Sequence, residues 1–304
     1  ASIPVGIPGM KELAQYLLDN LEDKYLEDAD WIKVSKRLRE DEDLEKALTS
    51  INLSESLLND IKRSTWQLIS DADLKVFREK VLFGYDLPFT DLIKKLLGTS
   101  SNNLNIITTN YDRYIEYCCD RCNAQVDNRY IGMYYKKSKT SKLRERNIVN
   151  LLKVHGSLDS FVDEKTKESV SIPLQTNIPI GFMPEIITPG TNKYEAILNT
   201  TTNRDILHNT DTLIDNANNY LCMGYGFNDS QIQGKIISRI KLGVPIVVVT
   251  QELSDSALDM IVSNSKKHAV VISGGENQTR FIINKADTTI EGIYWTIEGF
   301  NEII

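Results

Sequence analysis

Apolar residues recur at helical spacing over Lys11–Leu21, where Leu13, Tyr16, Leu17 and Leu21 share one face. From Leu26 to Leu82 the pattern stays helical, with dense charge and neither glycine nor proline. Ile51-Asn52-Leu53-Ser54 interrupts it, and Ser54 has the side chain of an N-cap. These features predict several short helices forming a helical subdomain over about 20–85. A further short helix is expected over Asp91–Leu97, stopped at Gly98. The pattern then changes period. Leu104–Thr108, Leu151–Val154, Tyr220–Met223, Val244–Val249 and Ala269–Ile272 read as strands. The β-branched run Val244–Val249 suits a strand buried on both faces of a parallel sheet. Between them lie helical stretches opening at Asn110–Asp112 and over Asp229–Lys241 and Ser254–Ser263. Ile232, Ile236 or Ile237, and Ile240 stripe the second of these, and Gly243 lies where a C′ residue ends a helix. Strands alternating with helices predict an α/β fold, a Rossmann-like doubly wound parallel sheet.

Composition narrows the class. The chain has 304 residues, 41% hydrophobic and 25% charged, which is globular rather than disordered. It holds 35 Lys+Arg against 42 Asp+Glu, a net charge of −7. That argues against direct nucleic-acid binding, which rests on excess positive charge. No apolar run approaches the roughly 18–20 residues of a membrane span. The first twenty residues carry neither a basic n-region nor an apolar h-region. With 4 cysteines, too few for a disulfide framework, this predicts a cytoplasmic setting. Cys119-Asp120-Arg121-Cys122 is a CxxC without a second pair, and Cys118, Cys119 and Cys122 fall on an apolar helix face. They read as core, with no metal site expected. Lys136, Lys137, Lys139, Lys142, Arg144 and Arg146 form a basic run, expected as a solvated loop or a partner contact.

Ligands of parallel sheets sit beyond the carboxyl ends of the strands. Three polar turns occupy such places: Thr108-Thr109-Asn110-Tyr111-Asp112, His155-Gly156-Ser157 and Gly224-Tyr225-Gly226-Phe227-Asn228-Asp229. None completes G-x-G-x-x-G, and no P-loop is present, which disfavours dehydrogenase and ATPase readings. Each turn has a plain alternative. Asn110 or Asp112, and Asn228 or Asp229, can simply cap the helices they precede. His155 directly follows a strand and is a candidate for chemistry, whereas His208 and His268 read as structural.

Taken together, these segments resemble the sirtuin-like family. Ala1-Ser2-Ile3-Pro4-Val5-Gly6-Ile7-Pro8-Gly9 resembles the family's first turn without the preceding strand and Gly-Ala-Gly loop. Thr108–Asp112 is similar to its central polar turn. Lys153-Val154-His155-Gly156-Ser157 is similar to the segment of the catalytic histidine, and Gly224–Asp229 to the later glycine turn. The variants Thr-Thr-Asn-Tyr-Asp and Gly-Tyr-Gly-Phe-Asn-Asp resemble the prokaryotic antiphage-defence branch. Ile187–Tyr194 resembles a segment of the sirtuin-like protein associated with a HerA-type ATPase.

The resemblance implies one catalytic domain over 1–304 with the helical subdomain inserted. It implies NAD⁺ as substrate, cleaved at the nicotinamide–ribosyl bond without a metal. Asn110 would orient the ribose or the attacking water, His155 would take the proton, and Asp112 would hold the nicotinamide carboxamide. Ala1, Ser2, Pro8 and Thr109 would border the nucleotide on one side; Gly224, Gly226 and Thr250 would border the ribose and adenine. NAD⁺ depletion in abortive antiphage defence, a homo-oligomer and a HerA-type ATPase partner follow from the same likeness. A protein deacylase and a non-catalytic NAD⁺ or ADP-ribose-binding module are the alternatives. The family's first strand is expected upstream, in about 20–40 further residues.

Overall fold

The computed structural model describes residues 2–40, 44–49, 51–99, 103–131, 136–137, 147–189 and 201–304. Ala1, Lys139, Lys142, Arg144, Arg146 and residues 190–194 of the likeness at 187–194 lie outside them. The chain divides into two compact units, one of residues 2–86 and 97–207, the other of 87–96 and 208–304.

In the first unit, α1 (Met10–Leu21) begins where Glu12 accepts from the Gly9 N–H at 3.0 Å. Helix α2 (Ala29–Arg39) begins at Asp28, whose carboxylate accepts from the N–H groups of Asp30 and Trp31, each at 2.9 Å. After α3 (Leu44–Leu48), Ser54 caps α4 (Glu55–Val76), accepting from Leu57 N–H at 3.3 Å. Leu13, Leu17, Leu21, Trp31, Val34, Leu38, Leu57 and Ile61 make one buried cluster. The periodicity seen in the sequence is therefore the packing face of these helices. A π-helical turn, Phe77–Val81, prolongs α4.

Helix α5 (Pro88–Leu97) leads to β1 (Asn103–Thr108), then α6 (Tyr114–Arg121), β2 (Gln125–Asp127), β3 (Tyr130–Ile131), β4 (Lys136–Lys137) and β5 (Ile148–Lys153). A three-stranded sheet in the order β1-β5-β2 is wholly parallel, with Thr108 opposite Lys153. Strands β6 (Gly156–Asp163), β7 (Ser169–Ser171) and β8 (Phe182–Ile186) form a separate antiparallel sheet in the order β7-β6-β8. The reversal from β5 to β6 takes only two residues and lies at the His155 turn.

Helix α7 (Thr201–Asn216) follows. In the second unit, β9 (Tyr220–Met223), α8 (Ser230–Lys241), β10 (Ile246–Val249), α9 (Asp255–Asn264) and β11 (His268–Gly275) alternate. Strands β9, β10 and β11 are parallel neighbours; β12 (Gln278–Ile283) and β13 (Ala286–Glu291) extend the sheet as an antiparallel hairpin. Ile236 and Ile240 of α8, Ile261 of α9, and Val248, Val249 and Val270 of the sheet are buried. The last helix, α10 (Ile297–Ile303), is tied to α5 by Asn301, which donates to the Pro88 carbonyl at 3.0 Å.

The expected α/β class is what the chain adopts, with parallel strands and flanking helices. Among the described residues the parallel strands are shared between two sheets, three in each.

Candidate functional site

The end of β1 makes the first turn of the site. Thr108 Oγ1 accepts from the Asn110 N–H at 3.1 Å, which bends the chain sharply out of the strand. Asn110 Nδ2 donates to Ser2 Oγ at 2.9 Å, and Ser2 Oγ donates to Asp112 Oδ2 at 2.7 Å. Asp112 Oδ1 accepts from the Tyr114 N–H at 3.0 Å, so the same carboxylate also holds the first amide of α6. Ser2 and Asp112 are 3% and 5% exposed, which makes this a buried relay. Its polarity is fixed. A carboxylate only accepts, so the Ser2 hydroxyl spends its proton on Asp112 and can only accept from Asn110. The Asn110 amide therefore presents its nitrogen to Ser2 and keeps Oδ1 for another donor.

The His155 turn adjoins this one. The Val154 N–H donates to the Thr108 carbonyl, and the Leu158 N–H to the Tyr111 carbonyl, both at 3.0 Å. His155 itself is half-buried, and its carbonyl accepts from the Ile187 N–H at 2.8 Å. Tyr111 Oη donates to the Ile187 carbonyl at 2.6 Å, so both turns share that anchor. Gly156 follows with φ +88°, and a Cβ there would sit 2.0 Å from the Glu185 carbonyl oxygen. Only glycine permits this close approach of β6 to β8.

A network of buried charge underlies both turns. Lys153 is 7% exposed. Its ammonium donates to the carbonyls of Asp112 and Tyr111, the latter at 3.4 Å, and pairs with Glu116 at 2.6 Å. Burial raises the Glu116 carboxyl above its ordinary range, with Lys153 opposing. Arg113 pairs with Asp73 of α4 and, through Nε, with Asp159 at 2.7 Å. Asp73 also accepts from the Arg113 N–H at 2.7 Å and from Tyr117 Oη at 2.6 Å. Burial works to discharge the guanidinium, but Asp159 and Asp73 outweigh it and hold Arg113 above the ordinary arginine value. Trp66 of α4 donates to the Leu158 carbonyl at 2.9 Å. Helix α4 thus anchors the turn after β1 through Asp73 and the start of β6 through Trp66. Glu116, Lys153, Ser157 and Glu185, with Leu152 and Ile206, line a pocket of mixed polar and apolar character beside this network.

The structure brings Ser2, Asn110 and Asp112 into direct contact and sets the His155 turn against them. Thr109 lies in the first turn, half-buried; Pro8 follows the short 3₁₀ turn Ile3–Val5 that begins at Ser2. Gly224, Gly226 and Thr250 belong to the second unit. The N–H of Gly224 donates to the Val249 carbonyl at 2.8 Å, which fixes the turn after β9 beside the end of β10. Asp229 Oδ1 accepts from the Ile232 N–H at 3.3 Å and caps α8. The Thr250 hydroxyl donates to the Glu252 carbonyl at 3.2 Å. Cys118 and Cys119 are fully buried in the core. His268 is also structural, its ring held between the Ser265 and Asn284 carbonyls.

Arg113 and Asp73 belong to no motif of the sequence, and Lys153 stands there only as the first residue of the segment 153–157. The signal for Lys153 was present: a lysine ending the apolar run Ile148–Lys153 must find buried partners.

Residues 104–243 match the family model for a SIR2-like domain. That stretch holds the Asn110, His155 and Gly224 turns. No curated protein matches the chain. One similar solved structure is described as "The Structural basis of Sirtuin Substrate Affinity", 12% identical, covering 84% of this chain and 82% of that one, with TM-score 0.40. Another is described as "Structural Basis for the Mechanism and Regulation of Sir2 Enzymes", 13% identical, covering 83% and 89%, with TM-score 0.43.

Proposed function

We propose that the chain is an NAD⁺ hydrolase, releasing nicotinamide and ADP-ribose. The observation that carries this is the Asn110–Ser2–Asp112 relay beside the His155 turn, whose Asn110, Asp112 and His155 fall in the stretch that matches the SIR2-like domain.

Loss of nicotinamide puts oxocarbenium character on the ribose, as in glycoside hydrolysis. Asn110 Oδ1, the free end of an oriented amide, accepts a hydrogen bond from a ribose hydroxyl or from the attacking water. His155 takes the proton as the new C–O bond forms, the general-base role that an imidazole can fill. Water supplies the hydroxyl of ADP-ribose, and the C–N bonding pair leaves with nicotinamide. Asp112 keeps Ser2 oriented and offers its carboxylate side of the relay to the carboxamide. Thr109 and Pro8 border the nucleotide in this reading. All the groups named are protein side chains or backbone, and no metal takes part.

The cellular role we propose is NAD⁺ depletion in antiphage defence by a cytoplasmic homo-oligomer with a HerA-type ATPase partner. It rests on the motif variants at 108–112, 187–194 and 224–229. No helix among the described residues is long and apolar enough to cross a membrane.

The full chain is incubated with NAD⁺, with and without an acylated peptide, and nicotinamide and ADP-ribose are followed by chromatography. Release without peptide is expected. Release only with peptide would replace the hydrolase by a deacylase, and binding without release by a non-catalytic module.

A further inference from the structure

We infer that Lys153 is a positioning residue that sets the separation of the Asn110 and His155 turns. This deepens the proposed hydrolase and rests on that reading. The lysine ends β5, two residues before His155, yet its ammonium reaches across to the turn of the neighbouring strand. There it donates to the carbonyls of Tyr111 and Asp112, the residues that follow Asn110. It also lies 3.5 Å from Ser157 Oγ, on the far side of His155. One buried cation is therefore bonded to one turn from the strand that carries the other.

The charge matters as much as the reach. An ammonium supplies three donors, and here they meet two backbone carbonyls and the Glu116 carboxylate at 2.6 Å. Hydrogen bonds from a charged donor are about twice as strong as neutral ones. Glu116 is on α6, the helix whose first amide Asp112 holds, so the pair also fixes that helix under the turn. Glu116 Oε2 has no hydrogen-bond partner of its own. Lys153 is thus what makes a half-buried carboxylate with one enclosed oxygen tolerable at this point, and a lone Lys153→Met would confound two effects. The two roles separate in the double variant Lys153→Met/Glu116→Gln, which removes both charges together.

Two measurements decide it. The first is amide hydrogen exchange at Val154 and Leu158, whose N–H groups bridge the two turns. In the double variant, exchange there is expected to accelerate at least about tenfold, with α9 amides unchanged. The second is steady-state NAD⁺ cleavage. We expect kcat to fall about 10- to 100-fold with KM within about twofold, because misplaced groups cost rate rather than ground-state binding. Exchange at wild-type rates, or a kcat equal to wild type, would overturn the inference and leave Lys153 as a counter-ion for Glu116. The single variant Glu116→Gln keeps the bonds to both carbonyls and is expected to hold kcat within about threefold; a tenfold loss would transfer the role to the ion pair. If the wild-type chain cleaves no NAD⁺, the hydrolase reading fails, and the exchange measurement still decides whether Lys153 holds the two turns.

Discussion

Residue by residue, the candidate site was legible where a polar side chain follows a strand. Asn110, Asp112 and His155 stand at such places, and Ser2 completes the relay from 108 residues away in sequence from Asn110. What was not legible is the charge that supports them, because a lysine or arginine carries no mark of its partner until the fold is known. Gly156 is a sharp case. With φ +88° and the Glu185 carbonyl against its Cα, Gly156→Ala is expected to cost about 3 kcal/mol or more in urea unfolding. A loss below about 1 kcal/mol would show that β8 gives way. Glu116 predicts a pH dependence. Its folded pKa is raised from 4.5, so the native state holds its proton more tightly than the unfolded chain. That contribution is complete below 4.5 and is lost as pH rises through the raised value. The stability of wild type relative to Glu116→Gln should therefore decline as pH rises across this window; a difference that grew would contradict the assignment. Burial pushes the Cys222 thiol up to about 12 and raises that of Cys119 as well. Both are expected to resist a thiol reagent in the native protein and to react once it is unfolded, with the half-buried Cys122 modified first.

Among the elements, the helices up to α6 and the parallel strands β1, β5, β9, β10 and β11 were readable from their apolar periodicity, whereas the short parallel strand β2 and the helices α7 and α10 were not. Ser54 was visible as an N-cap and is one; Ser54→Ala is expected to lower stability by about 1 kcal/mol, read from the urea midpoint. The antiparallel strands were not readable. Every residue of β13 is exposed, so no alternation betrays it. In β6, Gly156, Leu158, Ser160 and Phe161 are buried, and the shift in its pairing with β8 between Gly156 and Phe161 breaks the period of two. The role of α4 was equally hidden. Its apolar face predicted packing, but Asp73 on that face accepts three hydrogen bonds from Arg113 and Tyr117. Asp73→Ala leaves the Arg113 charge buried with Asp159 alone and is expected to cost about 3–5 kcal/mol. A conservative Asp73→Asn that retained full stability would show that geometry, rather than charge, is what α4 supplies.

For the molecule as a whole, composition and alternation pointed to the α/β class. The sharing of parallel strands between two sheets is a matter of long-range pairing, which local pattern does not encode. The relay and its charged support fall in the first unit, and the turns at Gly224 and Thr250 in the second. The net charge of −7 fits a small-molecule substrate better than a polyphosphate backbone. The central claim is that the Asn110–Ser2–Asp112 relay and His155 cleave NAD⁺. Its most direct test follows nicotinamide release by the full chain, beside Asn110→Ala and His155→Ala, with no acylated peptide present. Release that each substitution lowers at least about 100-fold, with folding intact by circular dichroism, is the expected result. Release unaffected by both substitutions, or none from the unaltered chain, would contradict it.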